Sequence, residues 1–305
     1  MNNKFKIGID CGGSKIEAIL LDPNGNEIIR KRSTYEKNYN SIIKVTTLLI
    51  RELEVKANNS CTIGIGIPGF SSKETGLVVN ANTNWLNNKP FKNDLENVLK
   101  KKVRIMNDAN CFTLSESTDG AGKNFKGVFG IIIGTGFGGG LSYDKKIIEG
   151  VNQVAGDWGH QPLPYATEEE IKYKNKCKLN TCGRPLCAEQ FISGTGFEHN
   201  FNSKYNTNLK APEIAELNNL KDNRAILEFD LYEDRLARVI SIMIGIFDPD
   251  AIIFGGGMSN IDRLYNNIPK ILPKYTFSDK VRNKILKNKH GDSSGVRGAA
   301  WLWND

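Results

Sequence analysis

Apolar and polar positions alternate in two stretches of this chain, and both alternations are broken by glycine. Ile7 and Ile9 begin an apolar strand, "CGGSK" interrupts it, and Ile16, Ala18 and Leu20 alternate along a second strand that ends at the turn "DPNGN". Much later "VFGIIIGTGFGGGLSYD" repeats the design of strand, glycine turn, strand and acidic turn, which reads as an internally duplicated β-hairpin. Between them, "SIIKVTTLLIRELEVKA" has helical spacing, "CTIGIGIPG" is a strand closing in a turn, "FKNDLENVLKKK" is a helix and "VRIMND" a strand. "ANCFTLSESTDGAG" then predicts a helix that fades at its glycines.

Beyond the second hairpin, "HQPLPYATEEEIKYKNKCKLNTCGRPLC" is a polar insertion with little periodicity. Helices are expected around "AEQFISGTGFEHNFNSKY", "APEIAEL" and "NRAILEFDLYEDRLARVISIMIGIF", the last turning so apolar that its end should be buried. "DAIIFGGG" is a strand with a third glycine cluster, "NIDRLYNNIPKIL" a helix, and "GDSSGVRGAAWLW" a loop and short helix. Strands alternating with helices predict an α/β fold. The length of 305 residues suggests two domains. We expect a smaller lobe from residues 1–115 plus 291–305, and a larger one from 116–290 with a cysteine-containing insertion at 160–189.

The glycine turns decide between phosphate-binding designs. A dinucleotide fold or P-loop places glycines between a strand and a helix. Here Gly12 and Gly13 lead into the strand-like "SKIEAILLD", and "GTGFGGG" into "LSYD", and neither has the Walker spacing. Both are therefore hairpin turns whose backbone N–H groups would form an anion nest. Asp108 ends an apolar strand between Asn107 and Asn110, where a carboxylate either accepts a proton beside a cleft or simply starts a helix.

Composition changes this picture little. The chain is 39% hydrophobic and 25% charged, with 41 basic against 34 acidic residues and a net charge of +7. The lysines are scattered, so a solvated surface is expected and nucleic acid is not. No stretch reaches the ~18 apolar residues of a membrane span, and "MNNKFKIGID" has no signal-peptide core. A cytoplasmic protein with no membrane partner is expected. Of six cysteines, Cys11, Cys61 and Cys111 stand alone, while Cys177, Cys182 and Cys187 cluster. In a reducing compartment a cluster favours a metal over disulfides.

The ordered run "GIDCGGSK", "GIGIPG", "NANTNW", "NDANC", "IIIGTGFGGGL", "GDWGHQPLP", "CGRPLCAE", "SGTGF", "DPDAIIFGGGMSN" and "KHGDSSGVRGAAWLW" resembles the ROK family of sugar kinases, within the sugar-kinase/hexokinase/actin superfamily. Its look is nearest to the fructokinase (manno/fructokinase) branch. The resemblance implies a two-lobed actin/hexokinase-like (ribonuclease H-like) fold with a central cleft. It implies an ATP-dependent hexose kinase acting on the 6-hydroxyl, with fructose first. Glucose, mannose and N-acetylglucosamine stay open as substrates, as does a sugar-responsive regulator without catalysis. A regulator of the family would carry a DNA-binding segment before the first strand, and the chain reaches that strand within its opening residues.

By the same resemblance Asp108 is the general base, and Asp10 helps to hold the Mg²⁺ that accompanies ATP. Gly12, Gly13, Ser14 and Lys15, with Gly134, Thr135, Gly136 and Gly138, contact phosphates, and Gly255, Gly256 and Gly257 lie against adenosine. Gly69, Asn82, Asn107, Asp108, Asp157, His160 and Glu189 belong to the sugar pocket, with Asn80 a weaker candidate. His160, Cys177, Cys182 and Cys187 would bind a structural Zn²⁺. Two departures from the family pattern stand out. Asp157 replaces the usual glutamate three residues before His160, and in C-x-C-G-x-x-G-C the first cysteine slot holds Asn180 and the second glycine slot holds Leu186. Related kinases are often homodimers.

Overall fold

The computed structural model describes residues 4–172, 182–291 and 294–304. Two compact units divide it: Met1–Lys123, Lys145–Val154 and Lys289–Asp305 form the first, Asn124–Asp144 and Ala155–Asn288 the second.

The first unit is built on a five-stranded sheet of order β3-β2-β1-β4-β7. Strands β1 (Phe5–Cys11), β2 (Lys15–Leu21) and β3 (Glu27–Thr34) form an antiparallel meander. Strand β4 (Cys61–Ile67) runs parallel to β1, and β7 (Arg104–Asn107) parallel to β4. The alternation read along β2 reflects two covered faces, not one, because every residue from Ile16 to Leu21 is buried. Ile16, Ala18 and Leu20 join the core on the side of helix α1 (Tyr39–Ala57) and helix α2 (Phe91–Leu99). Ile19 and Leu21 pack on the other side against helix α3 (Asp108–Thr118) and helix α10 (Ser294–Ala300), through Leu114, Val296, Ala299 and Ala300.

That second layer is held by backbone touching backbone. A methyl group on Gly8 of β1 would lie 2.0 Å from the Val296 carbonyl oxygen, one on Gly64 of β4 1.8 Å from that of Ala299, and one on Gly298 of α10 1.6 Å from that of Cys111 in α3. The expected lobe boundary between residues 115 and 116 would cut α3 where Ser115, Glu116 and Ser117 are buried, and the whole helix stays in the first unit.

In the second unit the strands β8 (Gly127–Ile133), β9 (Phe137–Tyr143), β11 (Ala251–Gly255) and β12 (Lys284–Lys287) lie in the order β9-β8-β11-β12. The β8–β9 pair is antiparallel, as β1–β2 is, and the remaining pairs are parallel. The long helix α8 (Asn223–Phe247) packs its Phe229, Tyr232, Leu236 and Ile240 into the core of this unit. Its apolar end is not wholly buried: Met243 and Ile244 are, but Ile242 is 39% and Ile246 76% exposed, because the run extends round the helix beyond the face that the core covers. No helix among the described residues is long and apolar enough to cross a membrane.

Glu170 of the short helix α4 (Glu168–Lys172) is buried against α8. It accepts hydrogen bonds from Arg235 Nε at 2.7 Å and from Arg238 Nη2 at 2.8 Å and Nη1 at 3.0 Å. Burial alone would raise its pKa, but the two guanidinium groups hold it at about 2. Breaking one side of a buried ion pair costs about 3–5 kcal/mol, so Glu170→Gln should lower the urea midpoint at neutral pH by that equivalent. Because the folded pKa lies below the unfolded ~4.3, this contribution is complete above that value and is lost as pH falls towards about 2. The gap between the two proteins should therefore narrow over that acid range, which urea titrations at stepped pH would measure.

Candidate functional site

Each unit carries its own set of candidate residues. In the first, register places the two carboxylates. Asp10 pairs with Gly66, and Gly66 with Met106, so Asp10 lies two strands from the end of β7, where Asn107 and Asp108 follow. Gly66 leaves ordinary contact room beside Asp10: a methyl there would lie 3.8 Å from Asp10 Oδ1 and 3.4 Å from Cys111 Sγ. Gly295 does the same on the α10 side, 3.5 Å from Asp10 Oδ2. Burial, and next the nearby charge of Asp108, push the Asp10 carboxyl up to about 7, with Glu17 adding to this and Lys15 opposing it.

Helix α3 is capped by Asn107, not by Asp108. Asn107 Oδ1 accepts from the amides of Ala109 at 2.9 Å and Asn110 at 3.3 Å, and its Nδ2 donates to the Gly69 carbonyl at 3.1 Å. Asn107 is therefore engaged on both ends of its amide and also ties down Gly69, whose φ of +70° and 2.3 Å approach to the Val79 carbonyl admit no side chain. Asp108 is the first helical residue, and its Oδ1 accepts from the Ala109 amide at 2.8 Å. Asn82 is exposed, with Thr83 Oγ1 donating to its Oδ1 at 3.4 Å, and Asn80 holds a left-handed turn at φ +58°. Gly12, Gly13 and Ser14 form the tight β1–β2 connection, closed by the Cys11–Ile16 pair, with Lys15 exposed at its exit.

In the second unit the equivalent turn joins Ile133 to Phe137. It is braced by the "SGTGF" segment. The Gly194 amide donates to the Gly134 carbonyl at 2.8 Å, and Thr195 Oγ1 to that of Thr135 at 2.6 Å. Glu189, at the start of helix α5 (Glu189–Ile192), accepts from the Phe137 amide at 3.0 Å, and a methyl on Gly136 would lie 3.0 Å from the same oxygen.

A cavity of about 550 Å³ opens beside this turn. Gly134 and Thr135, Gly257 and Met258, and Ala211 and Ala215 of helix α7 (Ala211–Asn219) line it. Glu216, Asn219 and Asn260 supply its polar groups. Gly256 sits at φ +78°, a methyl on it would lie 2.4 Å from the Ile133 carbonyl oxygen, and it must be glycine for the fold. Gly134 and Gly257 need not be, since a methyl on either meets nothing within 4 Å, and Gly138 is equally open. The wall from α7 and the Gly194–Thr195 brace were not assigned from sequence. The small residues of "APEIAEL" and "SGTGF" were the signal for them.

Asp157 is exposed and His160 half-buried. Segments 159–163 and 186–189 are zipped together: Glu189 N–H donates to the Gly159 carbonyl at 2.9 Å, Ala188 to Gln161 at 2.9 Å and Leu163 to Leu186 at 2.7 Å. This brings the ligand atoms of His160, Cys182 and Cys187 within 4.8 Å of one another. Cys187 Sγ lies 3.6 Å from His160 Nδ1. Tetrahedral zinc, with Zn–S ~2.3 Å and Zn–N ~2.1 Å, needs an S···N edge of about 3.6 Å. The His160–Cys187 edge has that length, and Cys182 offers a third donor within 4.8 Å. Cys177, the fourth candidate, lies outside the described residues, as does Asn180. Burial pushes the Cys187 thiol up to about 12, with the Glu189 amide opposing and Cys182 adding to it. Leu186 occupies the motif's second glycine slot at φ +54°, where only glycine is free of strain.

Comparison with known proteins follows the same residues from end to end. The model of the ROK family matches residues 6–305. An N-acetyl-D-glucosamine kinase of Vibrio cholerae is 36% identical over 296 residues, covering 97% of this chain and 98% of its own. One from Histophilus somni is 38% identical over 303 residues, with the same coverage. Among solved structures, a ROK hexokinase from Thermus thermophilus matches with a TM-score of 0.83 at 21% identity, over 97% of this chain and 96% of its own. That likeness gives the chain the expected actin/hexokinase-like α/β fold.

Replacing Asp108 by Asn removes one of the charges that raise Asp10. The Asp10 midpoint in magnesium-free protein, followed by carboxyl ¹³C shifts, should then fall below about 7. It should stay above the ordinary carboxylate value of ~3.9, because burial remains. An unchanged midpoint would show that the two carboxylates do not sense each other.

Proposed function

Since the chain belongs to the ROK family and is an ATP:sugar phosphotransferase of the hexokinase type, we propose that it phosphorylates the 6-hydroxyl of N-acetyl-D-glucosamine. The observation that carries the chemistry is the pair of carboxylates, Asp10 on β1 and Asp108 at the start of α3 two strands away, close enough that the charge of Asp108 raises Asp10. What supports the acetylated sugar is that relatives at 36% and 38% identity, each matched over 98% of its length, are N-acetyl-D-glucosamine kinases. Fructose, the first expectation, yields to it.

Asp108 takes the proton from the sugar hydroxyl as that oxygen attacks the γ-phosphorus, and ADP leaves with the bridging oxygen. Mg²⁺ brought in with ATP offsets phosphate charge, and Asp10 is the side chain that would hold it, directly or through water. The fit rests on Asp10 being a buried carboxyl beside a second carboxyl, a placement that a divalent cation would relieve. Backbone N–H groups of the two glycine turns hold phosphate oxygens. The cavity beside Gly257 takes adenosine, and the space left by the absent methyls of Gly134 and Gly257 serves the ligand, since the fold has no use for it. Glu189, His160, Asn82 and Asp157 take sugar hydroxyls. His160, Cys182 and Cys187 would hold a Zn²⁺ whose role would be to order the loop that carries Glu189, with no part in the transfer.

A coupled ADP-release assay across N-acetylglucosamine, glucose, mannose and fructose tests the substrate. N-Acetylglucosamine should have the highest kcat/KM, and a preference for fructose would restore the earlier expectation. Asp108→Asn should cut turnover by at least about 100-fold with sugar binding retained by calorimetry, and near-normal turnover removes Asp108 as the base. Metal analysis of protein purified without chelator should find about one zinc per chain, and Cys187→Ser should lose it.

A further inference from the structure

Tyr35 follows β3 directly, is 9% exposed and belongs to none of the sets assigned above. Its hydroxyl donates a hydrogen bond to the Gly12 carbonyl at 2.8 Å. Burial pushes the phenol up from its ordinary value, which keeps the hydroxyl a donor at neutral pH. In a planar trans peptide the carbonyl and the following N–H point in opposite directions. With the Gly12 carbonyl drawn to a buried tyrosine, the Gly13 N–H is turned the other way, to the exposed side where Gly13 and Ser14 lie.

The same side chain meets the other candidate loop of this unit. Its ring stands edge-on to Trp85, with centroids 6.1 Å apart at 68°. Trp85 lies in the short helical turn Asn84–Leu86 that follows Asn82 and Thr83. Where Gly13 would carry a methyl, Thr83 Oγ1 is 3.6 Å away.

We propose that Tyr35 is a positioning residue for the nucleotide's phosphates: its hydroxyl sets the Gly12–Gly13 peptide with the N–H outward, and its ring anchors that setting on the loop of Asn82. This rests on the assignment of the Gly12–Gly13 turn to phosphate. The phenol does not touch the reacting atoms. It acts through the backbone, and no other hydroxyl of the chain is placed on that carbonyl among the described residues.

Tyr35→Phe keeps the ring beside Trp85 and removes the hydroxyl, with its bond to the Gly12 carbonyl and its interaction with the Trp85 side chain. Calorimetry should show MgATP binding weakened by about 3–10-fold, the equivalent of one neutral hydrogen bond, with adenosine binding unchanged. In the assay, kcat/KM for ATP should fall by the same factor while KM for N-acetylglucosamine holds and the thermal midpoint stays near wild type. Unchanged MgATP affinity, or an equal loss for adenosine, overturns the proposal. A wild-type protein that binds MgATP yet releases no ADP with any hexose overturns the kinase reading instead, and the binding comparison still decides the role of Tyr35. A wild type that does not bind MgATP overturns both.

Discussion

The first unit depends on three places where backbone meets backbone with no side chain between. Gly8 and Gly64 let α10 lie directly on β1 and β4, and Gly298 lets α10 lie directly on α3. Real Cβ contacts closer than 3.0 Å are essentially absent from proteins, and methyls here would approach to 2.0, 1.8 and 1.6 Å. No rotamer relieves a clash with a carbonyl oxygen, so any substituent must push the helix off the sheet. The consequence reaches the chemistry. Helix α3 begins at Asp108 and β1 carries Asp10, so the layer that fixes α3 against the sheet also fixes the two carboxylates relative to each other.

That spacing is electrostatically unfavourable by itself. Burial is the larger cause and the charge of Asp108 the next, and together they push the Asp10 carboxyl up to about 7. A fold under selection for stability alone would place an asparagine at one of the two positions. Retaining both makes sense where a cation and a polyphosphate arrive together, because the bound state then balances charges that the free state leaves opposed. Like-charge strain of this kind is a recognised mark of functional sites. It fits a chain in which the rest of the β1–β4–β7 edge is apolar, with Ile7, Ile9, Ile63, Ile65 and Ile67 buried.

Much of this was legible in the sequence, and the gaps have physical causes. Central strands announce themselves by apolar runs, so β1, β2, β4, β8 and β11 were found. The edge strands β3 and β12 were not, because "EIIRKRST" and "KILK" are largely solvated and lack a buried face. Asp108 was read as either base or cap. Asn107 caps the helix, and Asp108 Oδ1 also accepts from the Ala109 amide, so the start of α3 engages both side chains. The same finding means that Asn107, expected at the sugar, spends both ends of its amide on the backbone. The cysteine cluster was readable by composition, but only the zipper between 159–163 and 186–189 shows why His160 belongs with it. The sugar's identity was not legible, because its substituents are read by a few loop side chains that no periodicity marks.

Glycine is where sequence and structure diverge most usefully. Written as letters, the glycines of "GIDCGGSK", "GTGFGGG" and "FGGGMSN" look alike. The coordinates sort them by what a methyl would meet. Gly8, Gly64, Gly159 and Gly298 exclude one by collision with backbone, and Gly69 and Gly256 by positive φ as well, so these serve the fold. Gly134, Gly138 and Gly257 exclude nothing: a methyl would stand in open space. Two of those three line one cavity, beside a turn braced by Gly194 and Thr195. Gly245 of α8 is equally open, so what sets Gly134 and Gly257 apart is that both line the cavity.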